Sequence, residues 1–418
     1  MNVCMGAALF TGDVIMLYKV GKHDVDSVEL KCLLISRGLK IAPEVYKKLG
    51  GKYRLYPNAL TCNCLKLPDE TIVMATDLGF HISTLASMFS WDNIKLFKYM
   101  NDLKTDFRIE LSDGEPILLY EGETVCTVSF LPGTKFFSQK TSTGMPFIGN
   151  AVLQGCNWVA FQCLWPCEYA IAGKPCQYCF SGGQFYALAK RNKAMPYIPT
   201  PQDVAEVVRY AIDNDGVDSI QITGGSTFKS VDEEKHVITY LTALNEQVGR
   251  DSIKGEILLY ITPPDKMDII DRYFELGVDR IACSLEVWDN TLAREITPGK
   301  REFTTKERHL EALDYIARKY GSGKAFSNFI IGLEPLDTLK AGAVYLSERG
   351  IIPSASVWMP FGKPVMGSMK APDLDYFRSV KEILAELYVK HKFKPAGGCG
   401  LNVCVERDIL NWAVNGYK

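Results

Sequence analysis

The chain has 418 residues, enough for one large core or two smaller ones. Its 47% hydrophobic and 23% charged residues exclude a disordered chain and are ordinary for a globular enzyme. With 47 basic against 49 acidic residues, the net charge of −2 gives no electrostatic reason to expect nucleic acid or an anionic membrane surface as partner.

The N-terminal stretch lacks a basic leader and Asp13 interrupts its apolar run, so no signal peptide is expected. No apolar run reaches membrane-spanning length. The expectation is a cytoplasmic protein with reduced thiols, which the odd count of 13 cysteines suits. Clustered cysteines in such a compartment point to metal binding or catalysis.

Residues 1–148 mix strand-like pieces at 13–20, 108–113, 116–122 and 124–131 with one or two helices around 80–104. They read as an additional α+β domain of unassigned role. Residues 149–391 alternate strands and helices: strands at 151–162, 218–223, 256–262, 279–286, 324–332 and 352–360, helices at 201–215, 232–248, 264–277, 305–321, 336–350 and 373–391. The strands are short, β-branched and apolar, as strands buried on both faces must be. Six such units predict parallel pairing with right-handed crossovers, hence an α/β protein built on a partial (β/α)6 barrel of the TIM type. Residues 392–418 form a C-terminal tail with a Gly-Gly-Cys-Gly turn and a short last helix. Chemistry in such a sheet belongs at the carboxyl ends of the strands.

After the first strand comes "CEYAIAGKPCQYCF", with Cys167, Cys176 and Cys179 spaced C-x8-C-x2-C around Tyr178. Three thiolates in one loop suit an iron–sulfur cluster, each sulfur binding one iron. Cys163 extends the set to C-x3-C-x8-C-x2-C, which also suits a closed tetrahedral zinc site of four cysteines.

Here the sequence resembles the radical S-adenosylmethionine superfamily, specifically its biotin-synthase-like barrels. The family's usual motif is C-x3-C-x2-C after the first barrel strand, with an aromatic residue before the last cysteine. Cys176, Tyr178 and Cys179 match that half. The first spacing is enlarged, since position 172 is Ala, and leaves the first ligand open between Cys167 and Cys163. The resemblance implies a 4Fe-4S cluster on Cys167, Cys176 and Cys179, with one iron left open for S-adenosylmethionine. Tyr178 would flank that cofactor.

The resemblance continues at the later strand ends. "TGGST" (223–227) stands where the family binds the methionyl amino group: Thr223, Gly224, Gly225 and Ser226 fall there, with Ser226 in place of the usual carboxylate. "CSLE" (283–286) puts Ser284 and Glu286 near the ribose or amino group. Arg294 has the planar fork that clamps a carboxylate. "NFIIGLEP" (328–335) resembles the strand lying against the adenine, with Asn328 at the ribose and Gly332 leaving room for a ring.

The implied activity is reductive cleavage of S-adenosylmethionine to a 5′-deoxyadenosyl radical that abstracts hydrogen from a substrate. That substrate is a small metabolite, a cofactor precursor or a protein residue. An electron donor such as flavodoxin or ferredoxin is the implied partner. Cobalamin, in a methyltransferase, and an auxiliary cluster on Cys62, Cys64, Cys399 and Cys404 are further readings, although nothing resembles the usual cobalamin-binding domain. A noncatalytic zinc or iron–sulfur protein is the alternative outside enzymes. The histidines at 23, 81, 236, 309 and 391 show no ligand spacing.

Overall fold

The computed structural model describes residues 15–55, 64–74, 77–78, 104–164, 167–179, 199–359, 370–394 and 403–416. β1 (Tyr18–Val20) and β2 (His23–Val25) pair as a hairpin and lead into α1 (Ser27–Arg37), which a reciprocal Asp26–Glu29 cap opens. β3 (Lys40–Ile41) and α2 (Pro43–Leu49) follow. β4 (Cys64–Lys66), β5 (Ile72–Met74), β6 (Phe107–Ser112), β7 (Glu115–Tyr120), β8 (Glu123–Thr127) and β9 (Ser129–Phe130) complete two small sheets, in orders β3-β6-β7-β8 and β5-β4-β9. These elements mix short helices with small sheets. The helices expected around 80–104 fall almost wholly on residues outside the described set.

After α3 (Phe147–Asn150) the chain enters a seven-stranded sheet whose strands lie in chain order. β10 (Val152–Gln154) pairs antiparallel with β11 (Trp158–Leu164), and every later pairing is parallel. The sequence predicts a single strand over 151–162; the turn at Gly155, Cys156 and Asn157 divides it into these two. Next come α4 (Glu168–Ile171), α5 (Pro201–Asn214), β12 (Ser219–Gly224), α6 (Ser230–Gln247), β13 (Ile257–Tyr260), α7 (Asp268–Glu275) and β14 (Arg280–Ala282). Two short helices that the sequence does not announce follow, α8 (Asn290–Ile296) and α9 (Pro298–Glu302). α10 (Lys306–Tyr320), β15 (Ala325–Ile331), α11 (Leu336–Ser347), β16 (Ile352–Val357), α12 (Leu374–Lys390) and α13 (Glu406–Gly416) finish the chain. Six parallel strands with a helix after each make the partial barrel expected from the alternation.

Local chemistry explains these elements. Thr200 caps α5 by accepting from the Asp203 amide, and Pro201 supplies a preset first turn. Every residue of β15 and of β16 is buried, so these strands are covered on both faces. The tail then runs along β16: the Val357 amide donates to Val403 O at 2.9 Å and the Val405 amide to Ala355 O at 3.0 Å. That covers the free edge of the last strand and turns Cys404 towards Ser356, with Sγ and Oγ 3.3 Å apart.

One continuous apolar core runs from Tyr18 to Ala413. At its margin Lys381 of α12 meets the carboxylates of Asp26 and Glu29, the latter at 2.6 Å, and Lys31 of α1 pairs with Asp408 of α13 at 2.7 Å. Removing one partner of such a buried pair typically costs about 3–5 kcal/mol, so these contacts hold α1 against the barrel's last helices. Among the described residues no helix is long and apolar enough to cross a membrane, and no disulfide joins the described cysteines.

Candidate active site

The enlarged cysteine spacing has a structural cause. Between Cys167 and Cys176 the chain forms the one-turn helix α4 and a turn at Ala172 and Gly173. That turn folds the extra residues away and returns the chain to Cys176. Cys179 then closes a tight turn, its amide donating to Cys176 O at 3.0 Å.

The three thiols lie close enough to interact. Burial pushes Cys176 up to about 12, Lys300 pulls it down, and Cys179, Glu286 and Cys167 push it further up. Cys167 is raised by burial, opposed by the Ser226 amide and assisted by Cys179. Cys163 belongs elsewhere. It is a core residue of β11, raised by burial and by Glu233, with no cysteine among the charges that act on it. Cys167, and not Cys163, thus groups with Cys176 and Cys179. Among the described residues no three His, Cys, Asp or Glu side chains converge on one ion, so the four-cysteine zinc site is not assembled. A four-iron cluster asks for something different, thiols spread over separate irons.

The 223–227 loop is sewn onto the cysteine loop. The Gly225 amide donates to Leu164 O at 2.8 Å, and the Ser226 amide to Cys167 Sγ at 3.4 Å. The Glu168 amide donates back to Ser226 O at 2.8 Å, and the Phe228 amide reaches the Glu168 carboxylate. A Cβ on Gly225 would lie 2.5 Å from Cys167 Cα, and one on Gly224 would lie 2.6 Å from Leu164 Cβ. The sequence assigns this glycine pair to the approach of a cofactor. The structure adds an earlier demand, the approach of the backbone that carries Cys167. Thr223 turns its hydroxyl to Phe161 O at 3.3 Å.

Opposite this seam Glu286 gathers polar contacts. It is 9% exposed, and its φ of 68° is one that few non-glycine residues adopt, a strain that surrounding contacts must hold in place. Its carboxylate accepts from Lys300 Nζ at 2.9 Å and from Asn328 Nδ2 at 3.1 Å, and it lies in hydrogen-bond contact with Tyr178. Asn328 Oδ1 accepts from Ser356 at 3.0 Å, and Ser356 touches Cys404. The Ser284 hydroxyl accepts from the Asn328 amide at 3.3 Å, and its carbonyl accepts from Lys300 at 2.8 Å. One buried network therefore joins the cysteine loop to β14, β15, β16 and the tail.

Two expected residues stand apart. Arg294 is exposed on α8 and, among the described residues, makes no ion pair. Gly332 has φ 111°, and a Cβ there would meet Pro372 Cγ at 2.7 Å, so proline occupies the room that the sequence reserves for a ring. Two other cations act on the cysteine loop instead. Lys300 and Arg301 sit on α9, and the Thr297-Pro298-Gly299 turn signal directly before them was the available clue. Arg301 donates to Val287 O at 2.9 Å, yet its Nε and Nη1 are buried without a partner among the described residues. Cys176 and Glu334 lie among the charges that act on it. Two orphaned donors of a planar fork beside the cysteine loop fit an anionic ligand such as a carboxylate.

The other candidates are structural. His309 is buried, pushed down to about 3 by burial and by Lys300, and its Nδ1 lies 2.8 Å from Thr305 O. Cys64 is buried beside Arg54 and Gly155, whereas Cys404 lies beside Ser356 and Glu406; the structure does not bring the two together. Cys62 and Cys399 lie outside the described residues.

Residues 171–337 match a protein family described as the radical SAM superfamily. The chain is 25% identical over 298 residues to bacteriochlorophyllide c C-7(1)-hydroxylase of Chlorobaculum limnaeum, covering 68% of this chain and 73% of that protein. Among solved structures it is similar to coproporphyrinogen III oxidase from Escherichia coli, at 14% identity and a TM-score of 0.32, covering 42% of this chain and 41% of that one. It is also similar to a radical SAM methyltransferase from Sphaerobacter thermophilus, at 14% identity and a TM-score of 0.38, covering 72% and 80%.

Proposed function

We propose, from the premise that this chain belongs to the radical SAM superfamily and is an enzyme of that class, that Cys167, Cys176 and Cys179 hold its 4Fe-4S cluster. The observation that carries the assignment is the mutual approach of these three thiols, with Cys163 turned away into the core. When bound, the cluster and S-adenosylmethionine supply reductive carbon–sulfur cleavage to a 5′-deoxyadenosyl radical that takes hydrogen from the substrate.

The chain's own residues position and shield. The unpaired donors of Arg301 suit the cofactor's carboxylate, the role that the sequence gives to Arg294. Backbone carbonyls of the 223–227 loop and the Ser226 hydroxyl suit its ammonium. Glu286 and Asn328, fixed to each other at 3.1 Å, suit ribose hydroxyls. Tyr178 packs with Val287, Ile296 and Trp358, an apolar wall that keeps water from the thiols. An external donor of the flavodoxin or ferredoxin class would supply the electron. We place the protein in the cytoplasm, where its thiols stay reduced.

A second, narrower reading is favoured by the hydroxylase resemblance, which extends well beyond the family match: hydroxylation of a substrate of the bacteriochlorophyllide class. Anaerobic purification with metal analysis tests the assignment first. About four irons per chain and a brown protein are expected; a colourless protein with one zinc overturns it. Incubation of the iron-loaded protein with a bacteriochlorophyllide then tests the second reading, which requires a hydroxylated product.

A further inference from the structure

Lys300 reaches the cysteine loop by an unusual route. α8 ends at Ile296, whose carbonyl accepts from the Gln177 amide at 2.8 Å, inside the C-x2-C turn. Pro298 then starts α9, and Gly299 is pressed so closely on the cysteine loop that a Cβ there would lie 2.6 Å from Lys174 O and 2.7 Å from Tyr169 Cβ. Two residues just before the lysine, Ile296 and Gly299, are thus held against the loop that carries the thiols.

The lysine's charge is held as firmly as its backbone. The Lys300 side chain is 18% exposed and donates to Ser284 O at 2.8 Å and Glu286 Oε1 at 2.9 Å. Glu286 is itself fixed by Asn328. Both partners of this pair act on Cys176, and the lysine is the stronger of the two. The ion pair is therefore a fixed pair of charges that act on the thiol.

A fixed cation favours whichever state of a neighbouring centre is more negative. When the cluster takes one electron from dithionite or from a protein donor, it gains one negative charge. We propose that Lys300 is a positioning residue that raises the electron affinity of the cluster on Cys167, Cys176 and Cys179, with Glu286 fixing its place. The inference rests on the proposed cluster reading and extends it to how readily the centre is reduced.

The test is a potentiometric titration of the anaerobically reconstituted holoprotein without S-adenosylmethionine, followed by the electron-spin signal of the reduced cluster. Lys300→Met is expected to lose about tenfold in electron affinity, a fall of about 59 mV for a one-electron couple. Lys300→Arg keeps the charge and is expected to stay at the wild-type potential. Glu286→Gln removes the opposing charge and is expected to move the potential up. Lys300→Met with full iron and an unmoved potential overturns the proposal, as does a fall in both neutralised variants. Should Lys300→Met fail to hold iron, Lys300→Gln, which keeps a polar side chain of similar reach without the charge, decides: a fall supports the proposal and no fall overturns it. A wild-type protein that takes up no iron removes the cluster reading instead, and this proposal with it.

Discussion

Gly225 offers the sharpest perturbation of the site that adds a single methyl group. The three atoms nearest to an added Cβ all belong to Cys167: Cα at 2.5 Å, Cβ at 2.6 Å and N at 2.8 Å. Ordinary contact begins near 3.4 Å, so the two backbones must part by roughly 0.9 Å. Neither can yield by a rotamer change, because two of the three atoms are main chain. Overpacking of this kind costs about 1–3 kcal/mol. The movement also pulls the Ser226 amide off Cys167 Sγ and the Glu168 amide off Ser226 O. Gly225→Ala should therefore melt a few degrees lower and, after anaerobic reconstitution, retain less than half of the wild-type iron. Gly224→Ala presses on Leu164 instead; it should lose comparable stability while keeping most of its iron. Iron and visible absorbance at wild-type level in Gly225→Ala would refute the argument that this glycine exists to admit the ligand loop.

Two further outcomes follow from burial. Cys163→Ala should lose about 1 kcal/mol of stability as a small core truncation and leave iron content unchanged, whereas Cys167→Ala, Cys176→Ala or Cys179→Ala should each empty the site; iron loss in Cys163→Ala contradicts the ligand assignment. Burial raises Glu233 from 4.5 to about 7, against hydrogen bonds from Thr262 and Thr227 and the charge of Lys300. The folded state then holds that proton more tightly than the unfolded one, so its stability contribution is full below pH 4.5 and is lost as pH rises through 7. The advantage of Glu233→Gln over wild type should grow by about 2 kcal/mol between pH 5.5 and 8, read from denaturation at each pH; a gap independent of pH refutes it.

How much of this was legible in the sequence varies with the physics. The parallel strands announced themselves because residues such as Phe326, Phe329 and Ile331 must be apolar on both faces, and the helices because they alternate with those strands. The cysteine loop was legible because its chemistry needs dense sulfur. The cationic side of the site was not. Arg294 has the better chemistry on paper, but the α8–α9 break at Pro298 turns Lys300 and Arg301 towards the loop and leaves Arg294 in solvent. Contacts such as Ser356 with Asn328, or the tail with β16, join residues remote in sequence and leave no periodic trace. Gly332 was read as space for a ring, when its positive φ and the adjacent Pro372 already account for a glycine.

The account stands or falls on whether these thiols hold a centre that cleaves S-adenosylmethionine. Iron-loaded wild-type protein, given dithionite and S-adenosylmethionine without oxygen or substrate, should slowly form 5′-deoxyadenosine and methionine, and Cys176→Ala should form none. An iron-replete wild-type protein that yields no 5′-deoxyadenosine, or a Cys176→Ala variant that yields as much as wild type, would contradict it.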